Sequence, residues 1–170
     1  MIELLILYEL KKKVLTMYGI SKEIKLEFSA LTTPSYGTIK PALNRLEKND
    51  CVKTQKNMTS GGRPSIYYSI TKYGEEQLKA LLLTQPLDNP IHFLTSARIK
   101  LLCAEILDKN DQKQLLKLLK LKAESILLEV KSLINANNLD FYPKMVFDNI
   151  SCEYKNFILL LEGFERACNN

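Results

Sequence analysis

Between Ser35 and Arg45 a run of side chains recurs at helical spacing: Ser35, Tyr36, Thr38, Lys40, Asn44 and Arg45. Hydroxyl, amide, ammonium and guanidinium groups arranged this way are donors and acceptors suited to base edges and phosphate oxygens. Lys53, Lys56 and Arg63 follow and add positive charge for a polyanion. Taken alone, the run fits a solvated helix face equally well, and Arg45 has Glu47 or a neighbouring helix as alternative partners. Other chemistry has little to work with. One histidine, His92, and four dispersed cysteines, Cys51, Cys103, Cys152 and Cys168, form no metal-binding spacing. No glycine-rich phosphate loop and no spaced nucleophile–base pair is present. The expectation is a protein that is not an enzyme and holds neither metal nor cofactor.

The elements that must position these groups follow from pattern. Met1–Leu10 is apolar with two acids and reads as a first helix, followed by Lys11-Lys12-Lys13 as a solvated turn. Its acids, and the lack of a basic leader, argue against a secretory signal. Thr16 can cap a second helix whose Met17, Ile20, Ile24 and Phe28 form a buried stripe. Pro34 breaks the chain, and a third helix runs to Lys48 with Ile39, Ala42, Leu43 and Leu46 inward. Either Ser35 or Thr38 can cap it; Thr38 would place Pro41 in the first turn, where a missing N–H costs least. Cys51–Lys56 and Ser65–Thr71 suit strands, with the turn residues Ser60-Gly61-Gly62-Arg63-Pro64 between them. Tyr67 and Tyr68 alternate across the strand, so one is expected in the core and the other exposed. Thr71 caps a fourth helix to about Thr84, with Leu78, Leu81 and Leu82 inward. Helix, helix, helix, hairpin, helix is the order of a winged helix-turn-helix.

Residues 85–90, with two prolines, read as a linker, and residues 91–170 as an all-helical second domain: 94–107, then 111 to about 137, then a helix opened by Pro143. The fold class is therefore mostly α. On the long middle helix, Leu115, Leu118, Leu119, Ile126, Val130, Leu133 and Ile134 share one apolar side, and Leu116, Leu121, Leu127 and Leu128 extend it. That surplus points to a second copy of the chain, with Leu115, Leu119, Ile126, Val130 and Leu133 as dimerisation residues. An effector cavity between the same helices is the alternative use of this surface. His92 and Cys103 read as structural. Of the 24 basic and 19 acidic residues, 13 and 8 lie in residues 1–84 and 7 and 2 in residues 36–72, so the excess sits on the first domain. Unpaired thiols fit a cytoplasmic location, and no apolar run is long enough for a membrane.

The stretches SYGTIKPALNRLEKNDCV and GGRPSIYYSITKYGEEQL resemble the PadR family of bacterial transcriptional regulators. Gly37, Thr38, Ile39, Pro41, Ala42, Leu43, Arg45, Leu46, Glu47 and Val52 match the first part of the family pattern. Gly62, Arg63, Pro64, Tyr67, Tyr68, Ile70, Thr71 and Gly74 match the second. The C-terminal half is similar in layout to the subfamily with a long helical dimerisation domain. Three positions depart from the pattern: Lys40 replaces a tyrosine, Asp50 replaces the glycine after the third helix, and Tyr18-Gly19 inverts the usual order. Asn49 is expected to take the left-handed turn in place of that glycine.

The resemblance implies a homodimeric regulator, a repressor, binding a near-palindromic double-stranded operator. Ser35, Tyr36, Thr38, Lys40, Asn44 and Arg45 would enter the major groove, and Lys53, Lys56 and Arg63 would follow the backbone or the minor groove. A small-molecule effector would act on the helical domain. The rival is a winged-helix protein-interaction module without DNA binding, against which the basic 36–72 segment argues.

Overall fold

A computed structural model describes residues 1–58, 64–85, 89–136 and 139–169. They divide into two compact units, Met1–Thr84 with Arg98–Cys103, and Gln85–Ala97 with Ala104–Asn170. Pro86, Leu87 and Asp88, in the middle of the expected linker, lie outside the described residues.

In the first unit, helix α1 (Ile2–Lys12) buries every residue from Leu4 to Leu10. A helix apolar on all sides has to be surrounded, and α1 packs against α2, α3, α4 and β3. Helix α2 (Met17–Phe28) starts at Thr16, whose hydroxyl accepts the Gly19 N–H at 3.1 Å, and it buries Ile20, Ile24 and Phe28. Helix α3 (Tyr36–Lys48) buries Ile39, Ala42, Leu43 and Leu46. Its cap is Ser35, which settles the choice against Thr38; the Ser35 hydroxyl pairs with Thr38 Oγ1 at 3.2 Å rather than with the backbone. Pro41 therefore lies inside α3, and the Gly37 carbonyl it leaves without a helical donor is on the exposed side, within reach of water.

Strands β1 (Leu15–Thr16), β2 (Val52–Met58) and β3 (Pro64–Ile70) form an antiparallel sheet in the order β1-β3-β2. Leu15 pairs with Tyr68 and Val52 with Ile70. The sequence pattern did not suggest β1, since two residues are too few to show an alternation. Tyr68 is the buried tyrosine of the pair and Tyr67 is half-buried. Helix α4 (Lys72–Leu83) begins at Thr71, which accepts the Gly74 N–H at 2.9 Å; Leu78 and Leu82 are buried, and Leu81 is half-buried. The unit is a winged helix-turn-helix.

The helices after α4 depart from the expected limits. Helix α5 (Pro90–Leu102) starts earlier than Leu94 and stops before Cys103, which is buried in the following turn. A single 3-10 turn, Ala104–Ile106, follows. The helix to Leu107 is cut short because Asp108 opens a new one: its carboxylate accepts the Asp111 N–H at 2.9 Å, so α6 runs Lys109–Ala136. Gln112 then donates to the carbonyls of Ala104 and Leu107 at 3.2 and 3.0 Å. Helix α7 (Phe141–Asn169) carries Pro143 at its third position, still within the first turn, where no N–H is required.

Helices α6 and α7 are antiparallel: Gln112 meets Cys168, while Lys120 meets Glu162 and Glu165. Their seam buries Leu115, Leu116, Leu119, Ala123, Ile126, Leu127 and Val130. Phe93 from α5 stacks on Tyr154 and meets Phe157 edge-on, with centroids 6.2 and 6.0 Å apart. No helix among the described residues is long and apolar enough to cross a membrane.

Lys100, buried in the first unit, donates to the Thr84 carbonyl at 2.7 Å. Burial lowers its pKa from the ordinary lysine value to about 8. Between about pH 8 and the unfolded lysine pKa of about 10.4, the unfolded chain holds a proton that the folded chain has released. Stability from this group is therefore lost as pH falls through 8 and present above the unfolded value. Denaturant melts at pH 7.5 and pH 10 should show the wild type gaining stability relative to Lys100→Met at the higher pH. A difference that stays constant with pH would contradict the assignment.

Candidate nucleic-acid interface

The rotation of α3 is set by its buried face, and the remaining positions point outward. Ser35, Tyr36, Gly37, Thr38, Lys40, Pro41, Asn44, Arg45 and Lys48 are all exposed, Tyr36 at 47%. Among the described residues Lys40 and Lys48 make no ion pair. Arg45 is different: its Nε donates to Glu3 Oε1 on α1 at 2.8 Å. Of the alternatives open in the sequence, the neighbouring helix supplies the partner. Glu47 is engaged elsewhere, accepting the Thr54 hydroxyl of β2 at 2.7 Å.

The two wing lysines are exposed but not brought together. Directly paired residues of an antiparallel sheet share a face, and faces alternate along a strand. Lys56 pairs with Ile66 and lies on the face of Thr54 and Val52, whereas Lys53 pairs with Ser69 on the opposite face. Thr54 bonds to α3 through Glu47, so the Lys56 face is the one continuous with α3. Arg63 lies outside the described residues.

The basic run that closes α1 is an ion-pair knot rather than a solvated turn. Lys11 pairs with Glu75 at 2.8 Å, Lys13 with Glu23 at 2.9 Å, and Lys12 with both Glu9 and Glu27. The Lys12 ammonium also sits 4.3 Å from the centre of the Tyr8 ring. Glu9 is fully buried, with the Lys12 ammonium 3.2 Å from its Oε2; burial raises its pKa while Lys12 opposes the rise. Burial works against the charge on Lys12, but its contacts with Glu27 and Glu9 outweigh that and raise its pKa. The carboxylates of Glu9, Glu23 and Glu27 lie within 4.8 Å of one another, with these lysines set between them.

The end of α3 is built for close approach. Asn49 has φ −94°, and it is Asp50, at φ 56°, that takes the left-handed conformation expected of Asn49. Cys51 N–H returns to the Leu46 carbonyl at 2.9 Å and Asp50 N–H to Glu47 at 3.0 Å, a Schellman closure. Thr71 fastens the start of α4 to this turn, donating its hydroxyl to the Asp50 carbonyl at 2.6 Å and its N–H to Cys51 at 3.0 Å. Gly74 packs so tightly there that a Cβ would stand 2.1 Å from the Cys51 carbonyl oxygen. Burial raises the Cys51 thiol pKa, and Glu3 and Asp50 nearby add to the rise.

Four of the residues expected at a dimer interface lie in the chain's own core instead. Leu115, Leu119, Ile126 and Val130 are covered by the α6–α7 packing, and only Leu133 is exposed. Leu121 and Leu128 on α6 also stay in water, as do Phe141, Tyr142, Met145, Val146, Leu159, Leu160 and Phe164 on α7. His92 is exposed, as is Cys152.

Residues 6–80 match the model of the transcriptional regulator PadR-like family. A PadR family transcription regulator from Clostridium difficile is 31% identical over 46% of this chain and 80% of its own, with a TM-score of 0.40. Bacillus subtilis PadR, solved with operator DNA, is 18% identical over 98% of each chain, with a TM-score of 0.47. The same protein solved with p-coumaric acid is 18% identical over 99% of this chain and 95% of that one, with a TM-score of 0.43. No curated protein matches the chain.

The α3–α4 junction yields opposite expectations for two substitutions. Asp50→Gly relieves a left-handed non-glycine residue and should stabilise by about 1 kcal/mol. Gly74→Ala drives a methyl into a backbone carbonyl and should destabilise by roughly 1–3 kcal/mol. Urea melts of both variants check the pair; a neutral Gly74→Ala would refute the close approach.

Proposed function

Because the chain belongs to the PadR-like family of transcriptional regulators, we propose that it binds a near-palindromic operator as a homodimer and represses transcription there. Helix α3 lies in the major groove, and the β2–β3 wing follows the backbone or the minor groove. The observation that carries this reading is the two-sidedness of α3. Four apolar residues are buried on one side, and hydroxyls, an amide and two lysines that have no ion pair among the described residues stand in water on the other. Ser35, Tyr36, Thr38, Lys40, Asn44 and Arg45 are the groove-facing set, and Lys56 is the wing residue on the α3 side. Lys53, on the opposite strand face, reaches only a different part of the backbone, if the duplex bends around the wing.

The second copy is assigned to the surface that α6 and α7 leave uncovered. A run of exposed leucine, methionine and aromatic side chains from Leu121 to Phe164 is more apolar surface than a monomer commonly keeps wet. An isologous contact there gives the two α3 helices a two-fold relation, so they meet the same side of the duplex about 34 Å apart. Leu121 and Leu128 take the interface role that burial removes from Leu115, Leu119, Ile126 and Val130, and Leu133 keeps it. In this reading residues 1–84 are the DNA-binding domain and residues 91–170 the dimerising domain. A small molecule acting on the latter changes the spacing of the α3 helices. The protein works in the cytoplasm, and the reading needs no catalytic group.

A fluorescence anisotropy titration with DNA upstream of the protein's own gene tests the reading. The wild type should bind with a steep salt dependence. Lys40→Ala should lower the slope of log K against log salt by about 0.9 if Lys40 holds one phosphate. An unaltered slope would remove Lys40 from the backbone contacts, and no binding at low salt would overturn the reading.

A further inference from the structure

Arg45 differs from every other cation on the outward side of α3, because an acid from another helix already holds it. The Glu3 carboxylate takes its Nε at 2.8 Å, and both side chains stay in water, at 57% and 32% exposure. An ion pair this wet adds little to stability, so a stabilising role does not account for it. Its mechanical effect is larger. Arginine is a long side chain with a flat guanidinium head, and engaging Nε fixes the plane of that head. Among the described residues Arg45 has no other side-chain partner, so its two terminal Nη groups remain to make a fork.

The charge on that fork is already matched by Glu3, which makes it a poor phosphate clamp. A phosphate approaching Arg45 also approaches Glu3, whereas Lys40 and Lys48 offer bare ammonium groups. A neutral edge carrying two acceptors suits it better. In the major groove guanine presents such an edge at O6 and N7, and a bidentate arginine is its usual reader. Arg45 directly follows Asn44, a residue of the outward face.

We propose that Glu3 is a positioning residue that holds Arg45 end-on for a guanine edge, so that it contributes to discrimination between sequences rather than to general DNA affinity. This rests on the operator-binding reading above. Glu3 itself touches no DNA.

The test uses the full chain, an operator selected from a random duplex pool by the wild type, and a scrambled duplex of the same composition. Affinities for both duplexes are measured for the wild type, Glu3→Ala, Glu3→Gln, Arg45→Ala and the double variant Glu3→Ala/Arg45→Ala, alongside thermal melts. Glu3→Ala should lower the operator-to-scrambled ratio by about tenfold, the scale of one bidentate base contact. Its affinity for the scrambled duplex should hold or rise, and its melting temperature should move by no more than about 4 °C. Glu3→Gln keeps an acceptor for Nε and should recover most of the ratio. In the Arg45→Ala background, Glu3→Ala should change the ratio no further.

A ratio indifferent to Glu3, a loss that persists without Arg45, or no recovery by glutamine would overturn the proposal while leaving operator binding intact. A wild type from which the pool yields no preferred sequence would instead overturn the operator reading, and this proposal with it.

Discussion

Packing of Ile39, Ala42, Leu43 and Leu46 against an all-buried α1 fixes how α3 is turned about its own axis. A helix advances about 100° per residue, so burying one stripe dictates which residues face water. Each of the three larger side chains contributes roughly 1.5–3 kcal/mol by leaving water. A rotation of one position would bury Lys40 and Asn44 without partners, at a cost no surface contact offsets. The outward display of Thr38, Lys40, Asn44 and Arg45 is thus a consequence of core packing, and the Asp50 turn with its Thr71 and Gly74 clasp fixes where that display ends.

Charge in the first unit is divided between two uses. Lys11, Lys12, Lys13 and Arg45 are each paired with an acid on another element. Lys40, Lys48, Lys53 and Lys56 are left without such partners among the described residues. Net charge alone does not separate these groups, since one lysine counts like another. Lys22 and Lys25 on α2 and Lys72 on α4 are likewise unpaired among the described residues, so what sets Lys40, Lys48, Lys53 and Lys56 apart is their place on α3 and the wing.

What could be read from the residues was what local chemistry determines. The stripe in α3 has the helical period, and Thr16 and Thr71 stand where caps are needed, so those parts followed from spacing. Asn49 and Asp50 both tolerate the left-handed region, and only the backbone trace decides for Asp50. The opposite facing of Lys53 and Lys56 needs the strand register, and the Glu3–Arg45 pair joins positions 42 residues apart. Neither leaves a local signal. On α6 the leucines were legible as apolar, but a leucine looks the same whether it meets its own α7 or another molecule. That ambiguity placed Leu115, Leu119, Ile126 and Val130 at an interface when they form the core.

The central claim is that two α3 helices from two copies meet one side of a duplex a helical turn apart. Hydroxyl-radical footprinting of the full chain on its selected DNA reads this directly. The account predicts two protected patches on the same side of the duplex, related by dyad symmetry and centred about 34 Å apart. A single patch without symmetry, or uniform protection along the fragment, would contradict it.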